Sequence, residues 1–231
     1  MFALLPEQPA LAEDLLLLLL DPRTGSIAGD GAALFHTLAG AILVDLAAQE
    51  HVEIADRTTW RGRFVHATGR TPPADPLLSD TWRWVASTPV DVNTLILEIG
   101  PPLRESVLTR LVERGHLRSE RRRVLGLIPH YVLRDGGTPR RAQILAPVRA
   151  ALVEGADPDP RTATLAALLS ASGVVSWLDA EIPWSAAVHT RAKALEDGQW
   201  GAVAAAEAVR QTTVALIASA VAVSMQAAAP R

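Results

Sequence analysis

The chain has 231 residues, enough for one large domain with a buried core. Apolar residues make up 49% and aromatics only 4%, so the core draws on Ala, Leu and Val, which favours helices. The absence of Cys excludes disulfides, thiolate zinc sites, iron–sulfur ligation and Cys nucleophiles, and a net charge of −3 points by itself to no anionic partner.

In chain order, Glu7, Glu13 and Asp14 interrupt the apolar start, so no signal peptide is expected. Leu11–Leu20 reads as a helix with acids in its first turn, stopping at Asp21-Pro22. Leu34–Ala48 is apolar nearly all round and reads as a central buried helix. His51–Ile54 and Trp60–Val65 read as short paired strands, and Ala67–Asp80 as a Pro-rich loop. Trp82–Ala86 and Val92–Ile99 read as helical, with a new helix starting at Pro101-Pro102 and ending at Gly115. The stretch from Leu117 to Leu133 reads as a β-hairpin closed by Gly136-Gly137. Gln143–Glu154, Thr162–Leu169, Ser185–Leu195 and Val203–Ala228 complete the expected helices. The expected fold is mainly α: a single globular domain over residues 1–231, around the central helix, with a small hairpin. Leu15–Leu20 and Val214–Met225 both fall short of the roughly 20 apolar residues that span a bilayer. The protein is expected in the cytoplasm, touching the inner face of the membrane at most from the side.

Charge is unevenly spread. Residues 104–149 hold 11 Arg against 4 acids, net +7, while the rest holds 11 basic and 21 acidic residues, net −10. Such asymmetry is the footprint of an anionic partner, or else a solvated Arg-rich face. Within the segment, Arg104 falls in the middle of an arc of Leu103, Val107, Leu108, Leu111 and Val112 at about 100° per residue. It also sits in the first turn of a helix starting at Pro102, where free N–H groups favour an anion. The expectation is a phosphate or carboxylate pocket at Arg104, unless an internal acid such as Glu98 or Asp45 pairs with it. Arg121, Arg122 and Arg123 are weaker candidates. They precede Leu125, Leu127 and Ile128, a pattern of membrane contact, internal packing or subunit contact.

Catalytic signals are lacking. There is no G-x-S-x-G elbow and no phosphate-cradling Gly-rich loop with Lys-Ser/Thr. His36, His51, His66, His116, His130 and His189 lack ligand spacing. No enzyme activity, metal or cofactor is expected.

The runs Leu11–Asp21 and Leu38–Ala48, Arg104–Gly115 with its hairpin, and Asp159–Ser172 together resemble the Golgi phosphoprotein 3 family. The Ala and Arg bias points to a bacterial member. The resemblance implies a mostly helical domain and a non-enzymatic adaptor for membrane enzymes that binds phosphatidylinositol 4-phosphate, with the hairpin implicated in self-association. The family's headgroup positions align with Asp30, Ala39, Pro101 and Arg104, of which only Arg104 matches, and an acid at Asp30 opposes a phosphate. The leading expectation is a peripheral protein on anionic phospholipid. The alternatives are a winged-helix nucleic-acid binder, disfavoured because Arg104 faces inward, and an interaction protein that oligomerises through the hairpin.

Overall fold

The computed structural model describes residues 8–54, 63–124, 128–178, 180–198, 215–219 and 222, and their side chains except those of 122–130. Seven α-helices are numbered in it: α1 (Leu11–Leu19), α2 (Ala32–Ala48), α3 (Pro76–Ser87), α4 (Val92–Glu113), α5 (Arg140–Arg149), α6 (Pro160–Ala171) and α7 (Ala186–Glu196). Residues 215–219 are also helical. The strands are β1 (Val52–Ile54), β2 (Phe64–Ala67), β3 (Val90–Asp91), β4 (Leu117–Val124) and β5 (Ile128–Asp135). They form an antiparallel sheet in the order β1-β2-β3 and a separate β4–β5 hairpin. The fold is mainly α, as its composition demands.

Helix α2 is the centre. Its residues from Leu34 to Ala47 are buried apart from the half-buried Phe35, because only Thr37, His36 and Asp45 interrupt its apolar surface. Helix α1 lies beside it and is buried at every position, Glu13 and Asp14 included. Ala10 has no polar side-chain atom to cap α1, so caps come from elsewhere. Glu13 accepts the Ala10 N–H at 2.9 Å, and Asp45, from α2, accepts the Leu11 N–H at 2.6 Å. Buried apolar side chains from Leu11 to Ile217 form one contiguous core.

Two expectations are corrected here. The Pro-rich stretch does not stay a loop through Asp80: Asp75 caps the Leu77 N–H at 2.8 Å, and Pro76 opens α3. Nor does a new helix start at Pro102. Residues 92–113 form one continuous helix, capped by Asp91 at the Thr94 N–H, with Pro101 and Pro102 inside it. Both prolines lack the N–H that would bind the carbonyls of Leu97 and Glu98. Those residues are exposed, so water reaches the freed carbonyls. On the opposite side, Gly100 lets α4 meet α2, since a Cβ there would lie 2.7 Å from the Phe35 carbonyl oxygen.

At its C-terminus α4 ends as the sequence predicts. Gly115 has φ +74°, its N–H bonds to the Val112 carbonyl, and the His116 N–H reaches back to Leu111. The chain then enters β4. The β4–β5 register runs from Leu117 opposite Asp135 to Val124 opposite Ile128, with a connection over residues 125–127 that lies outside the described residues. The base of this arm is fastened by the Gly136 N–H to the His116 carbonyl at 2.9 Å, and by the Arg134 guanidinium donating to the Arg23 carbonyl. After it, α5 begins at Arg140, earlier than expected, and continues as a π-helical turn, Ala150–Glu154. Most of the expected helix Val203–Ala228, and residues 60–62 of the expected second strand, lie outside the described residues.

Candidate functional site

Most of the described guanidinium groups of the basic segment meet acids of the remainder. Arg110 binds Asp75 through both terminal nitrogens, at 2.6 and 2.7 Å, and reaches Glu13 at 3.3 Å. Arg114 reaches the same Glu13 oxygen at 3.2 Å. Arg140 forms a two-point pair with Asp14, and Arg161 from α6 shares that carboxylate at 2.7 Å. Arg141 forms a two-point pair with Glu181 at 2.7 and 2.8 Å. Arg149 pairs with Glu154, and Arg118 and Arg134 with Glu120.

Around α1 the carboxylates of these pairs are buried and the arginines are half-buried. The Glu13 and Asp14 side chains are 1% and 0% exposed, and that of Arg110 is 17% exposed. Burial disfavours the charged form of Arg110, but the carboxylates of Asp75 and Glu13 outweigh it and raise its pKa. Asp45 goes the other way. Burial pushes its carboxyl up to about 7, and the nearby charges of Asp14 and Asp75 add to the rise. The Leu11 N–H and Arg161, 4.0 Å away, act against it. One oxygen of Glu13 and the Nε of Arg110 are buried without a hydrogen-bond partner among the described residues.

Arg104 stands apart from this cluster. The buried side of α4 is formed by Ile96, Gly100, Leu103, Val107 and Leu111, with Arg110 turned inward beside them. The expectation that Arg104 centres the core-facing stripe is therefore corrected. Leu108 and Val112, which shifted the apparent centre, are partly exposed. So is the expectation that it lies in a first turn: with α4 beginning at Val92, Arg104 lies in mid-helix without free N–H groups beside it. Its partner is neither Glu98 nor Asp45 but Asp30, from the turn before α2. Nε and Nη2 of Arg104 donate to the two Asp30 oxygens at 2.8 Å each. The pair is accessible, with side chains 34% and 45% exposed.

Of the other candidates, Arg121 is exposed on β4 opposite Tyr131, which is 65% exposed. The side chains of Arg122, Arg123 and Ile128, and residues Leu125 and Leu127 altogether, lie outside what the structure describes. What the sequence reading missed was the Arg110 cluster. Its signal was present: two acids inside a run of Leu with no polar face to carry them. Among the described residues no group of three or more His, Asp or Glu is placed to hold a metal, and no helix is long and apolar enough to cross a membrane.

The Golgi phosphoprotein 3 (GPP34) family matches residues 11–212. The chain belongs to that family. The match runs from the first residue of α1 past α7, so it covers the central helix, the Arg104–Asp30 pair and the whole β4–β5 arm. No curated protein compared with the chain matches it significantly. Membership in the family is consistent with a non-enzymatic adaptor.

Proposed function

We propose that the protein is a non-enzymatic peripheral adaptor on the inner face of the membrane, bound to anionic phospholipid through the β4–β5 arm and the Arg104 face. A phosphoinositide-type headgroup is what the family resemblance implies. One observation carries the reading. Arg121 and Tyr131 are cross-strand neighbours, both exposed, on a two-stranded arm that projects a basic and an aromatic side chain together. A guanidinium meets anionic headgroups while a Tyr ring sits at the boundary with the acyl chains.

A second reading, self-association through the arm, is favoured by its edges. The sheet has only two strands, so each has an outer edge unpaired among the described residues. The nucleic-acid alternative has less support, because Arg110 and Arg114 of the would-be recognition helix turn towards Glu13 and Asp75.

The test is co-sedimentation with vesicles of phosphatidylcholine with and without phosphatidylglycerol. Binding is expected only with the anionic lipid, and Arg121→Glu is expected to weaken it at least about fivefold at low salt. No binding to anionic vesicles at low salt would sink the proposal. Concentration-dependent assembly without vesicle binding would favour self-association.

A further inference from the structure

We infer that the cleft beside the C-terminal end of α1 binds a small organic ammonium ion, an amine carried on an apolar body. The cleft has a volume of about 520 Å³, within the range of small-molecule sites. Neither Arg104 nor Asp30 lines it, and no described residue of the β4–β5 arm does. Binding there is independent of membrane attachment.

The walls follow from the way the chain leaves α1. After Leu19 it folds back on itself: the Asp21 N–H bonds to the Ser26 carbonyl at 2.9 Å, and the Ala28 N–H to the Leu19 carbonyl at 2.8 Å. This turn sets the buried Leu19, Leu20 and Ile27 along one wall. The other wall is the 3₁₀ turn Val175–Leu178 with Glu181, and it carries Trp177, which is 69% exposed. Arg141 of α5 ties the two together. Its Nε donates to the Leu17 carbonyl at 3.1 Å, and its two terminal nitrogens donate to Glu181.

The polar groups that this cleft presents are carboxylates. In the Arg141–Glu181 pair the arginine side chain is 13% exposed and the glutamate 29%. Arg141 spends its Nε–H and one hydrogen of each terminal nitrogen on protein acceptors, whereas each Glu181 oxygen keeps a lone pair. Asp21 is the second carboxylate. The Arg23 N–H bonds to it at 2.8 Å and holds its carboxyl below the ordinary 3.8, so it stays charged. The Arg23 guanidinium lies 3.7 Å from Asp21 on a side chain 83% exposed, a loosely held cation that a better one displaces. The last turn of α1 has no basic residue, so the negative end of its dipole adds to the same field.

Two carboxylates and a helix C-terminus favour a cation over a phosphate or a carboxylate. The exposed Trp177 ring favours an organic cation, because indole is the best aromatic partner for an ammonium group. The Leu and Ile wall calls for an apolar body, which a bare inorganic cation would leave uncovered. The volume suits a whole small molecule rather than the side chain of one lysine.

The experiment is isothermal titration calorimetry of the full chain with phenethylamine, and with phenylacetate as the same ring bearing the opposite charge. Phenethylamine is expected to bind with Kd of about 1 mM or lower, and phenylacetate at least about tenfold more weakly. Trp177→Leu and Arg23→Ala alter exposed side chains and leave the fold intact. The first should weaken phenethylamine binding at least about threefold, and the second should strengthen it about twofold. The inference is overturned if phenethylamine does not bind, if phenylacetate binds as well, or if neither substitution changes the affinity. It is also overturned if a Lys-rich peptide displaces phenethylamine at lower concentration than a free amine does, which would make the occupant a side chain of another protein.

Discussion

Two groups of arginines from one basic stretch have opposite fates. Arg110, Arg114 and Arg140 turn inward onto Glu13, Asp14 and Asp75, carboxylates almost without exposure. Arg104 and Arg121 face outward, one held by an accessible acid and the other beside an exposed Tyr. The residue type is the same and the sequence neighbours are similar. Burial makes the difference: it turns the inner pairs into requirements of the fold, whereas water lets the outer ones be exchanged for a ligand.

That contrast can be tested where it is strongest. Asp14→Asn strands Arg140 and Arg161 against a group that no longer carries charge. Breaking a buried pair by removing one partner costs about 3 kcal/mol, read as a lower midpoint in urea unfolding. A loss below about 1 kcal/mol would place the inner cluster with the outer pairs.

A direct comparison on one helix is next in size. Arg110→Met leaves Glu13 and Asp75 without their shared cation and should cost about 2 kcal/mol. Arg104→Met breaks a pair one-third or more exposed and should cost under about 1 kcal/mol. Equal costs would erase the distinction between inner and outer arginines.

The remaining expected effect is read along the pH axis, at Asp45. Its carboxyl is pushed up to about 7 by burial, above the ordinary 3.8, so the folded state holds the proton more tightly than the unfolded chain. That contribution to stability is full at acidic pH and is lost as pH rises from about 4 towards about 7. Asp45→Asn keeps an oxygen for the Leu11 N–H and never ionises. It should therefore flatten this part of the profile and stabilise the protein at pH above about 7 relative to pH 5. Superimposable profiles for the two proteins would show that Asp45 titrates normally.

Much of the fold was legible because its signals are local. A run apolar all round marked α2, β-branched residues with a closing Gly pair marked the arm, and Gly115 marked the end of α4. The boundary at Pro101 misled because a missing N–H is only half of the effect. The other half is whether the orphaned carbonyls reach water, and at Leu97 and Glu98 they do. The Arg104 site was half legible. Its exposure to a carboxylate was foreseen as a possibility, but Asp30 lies 74 residues away and on a separate turn. No periodicity reports such a distance.

Composition and pattern alone determined a Cys-free, mainly helical chain with a buried central helix, a hairpin and a basic segment inside an acidic remainder. Those properties follow from side-chain chemistry and from hydrogen bonding between near neighbours. Only the tertiary structure decided which arginines that segment uses internally. Arg110 and Glu13 are 97 residues apart and Arg140 and Asp14 are 126 apart, so their pairing exists only once α1 packs against α4 and α5. Charge that looks unbalanced along the chain is mostly balanced across the core, and what remains outside is the face available to a partner.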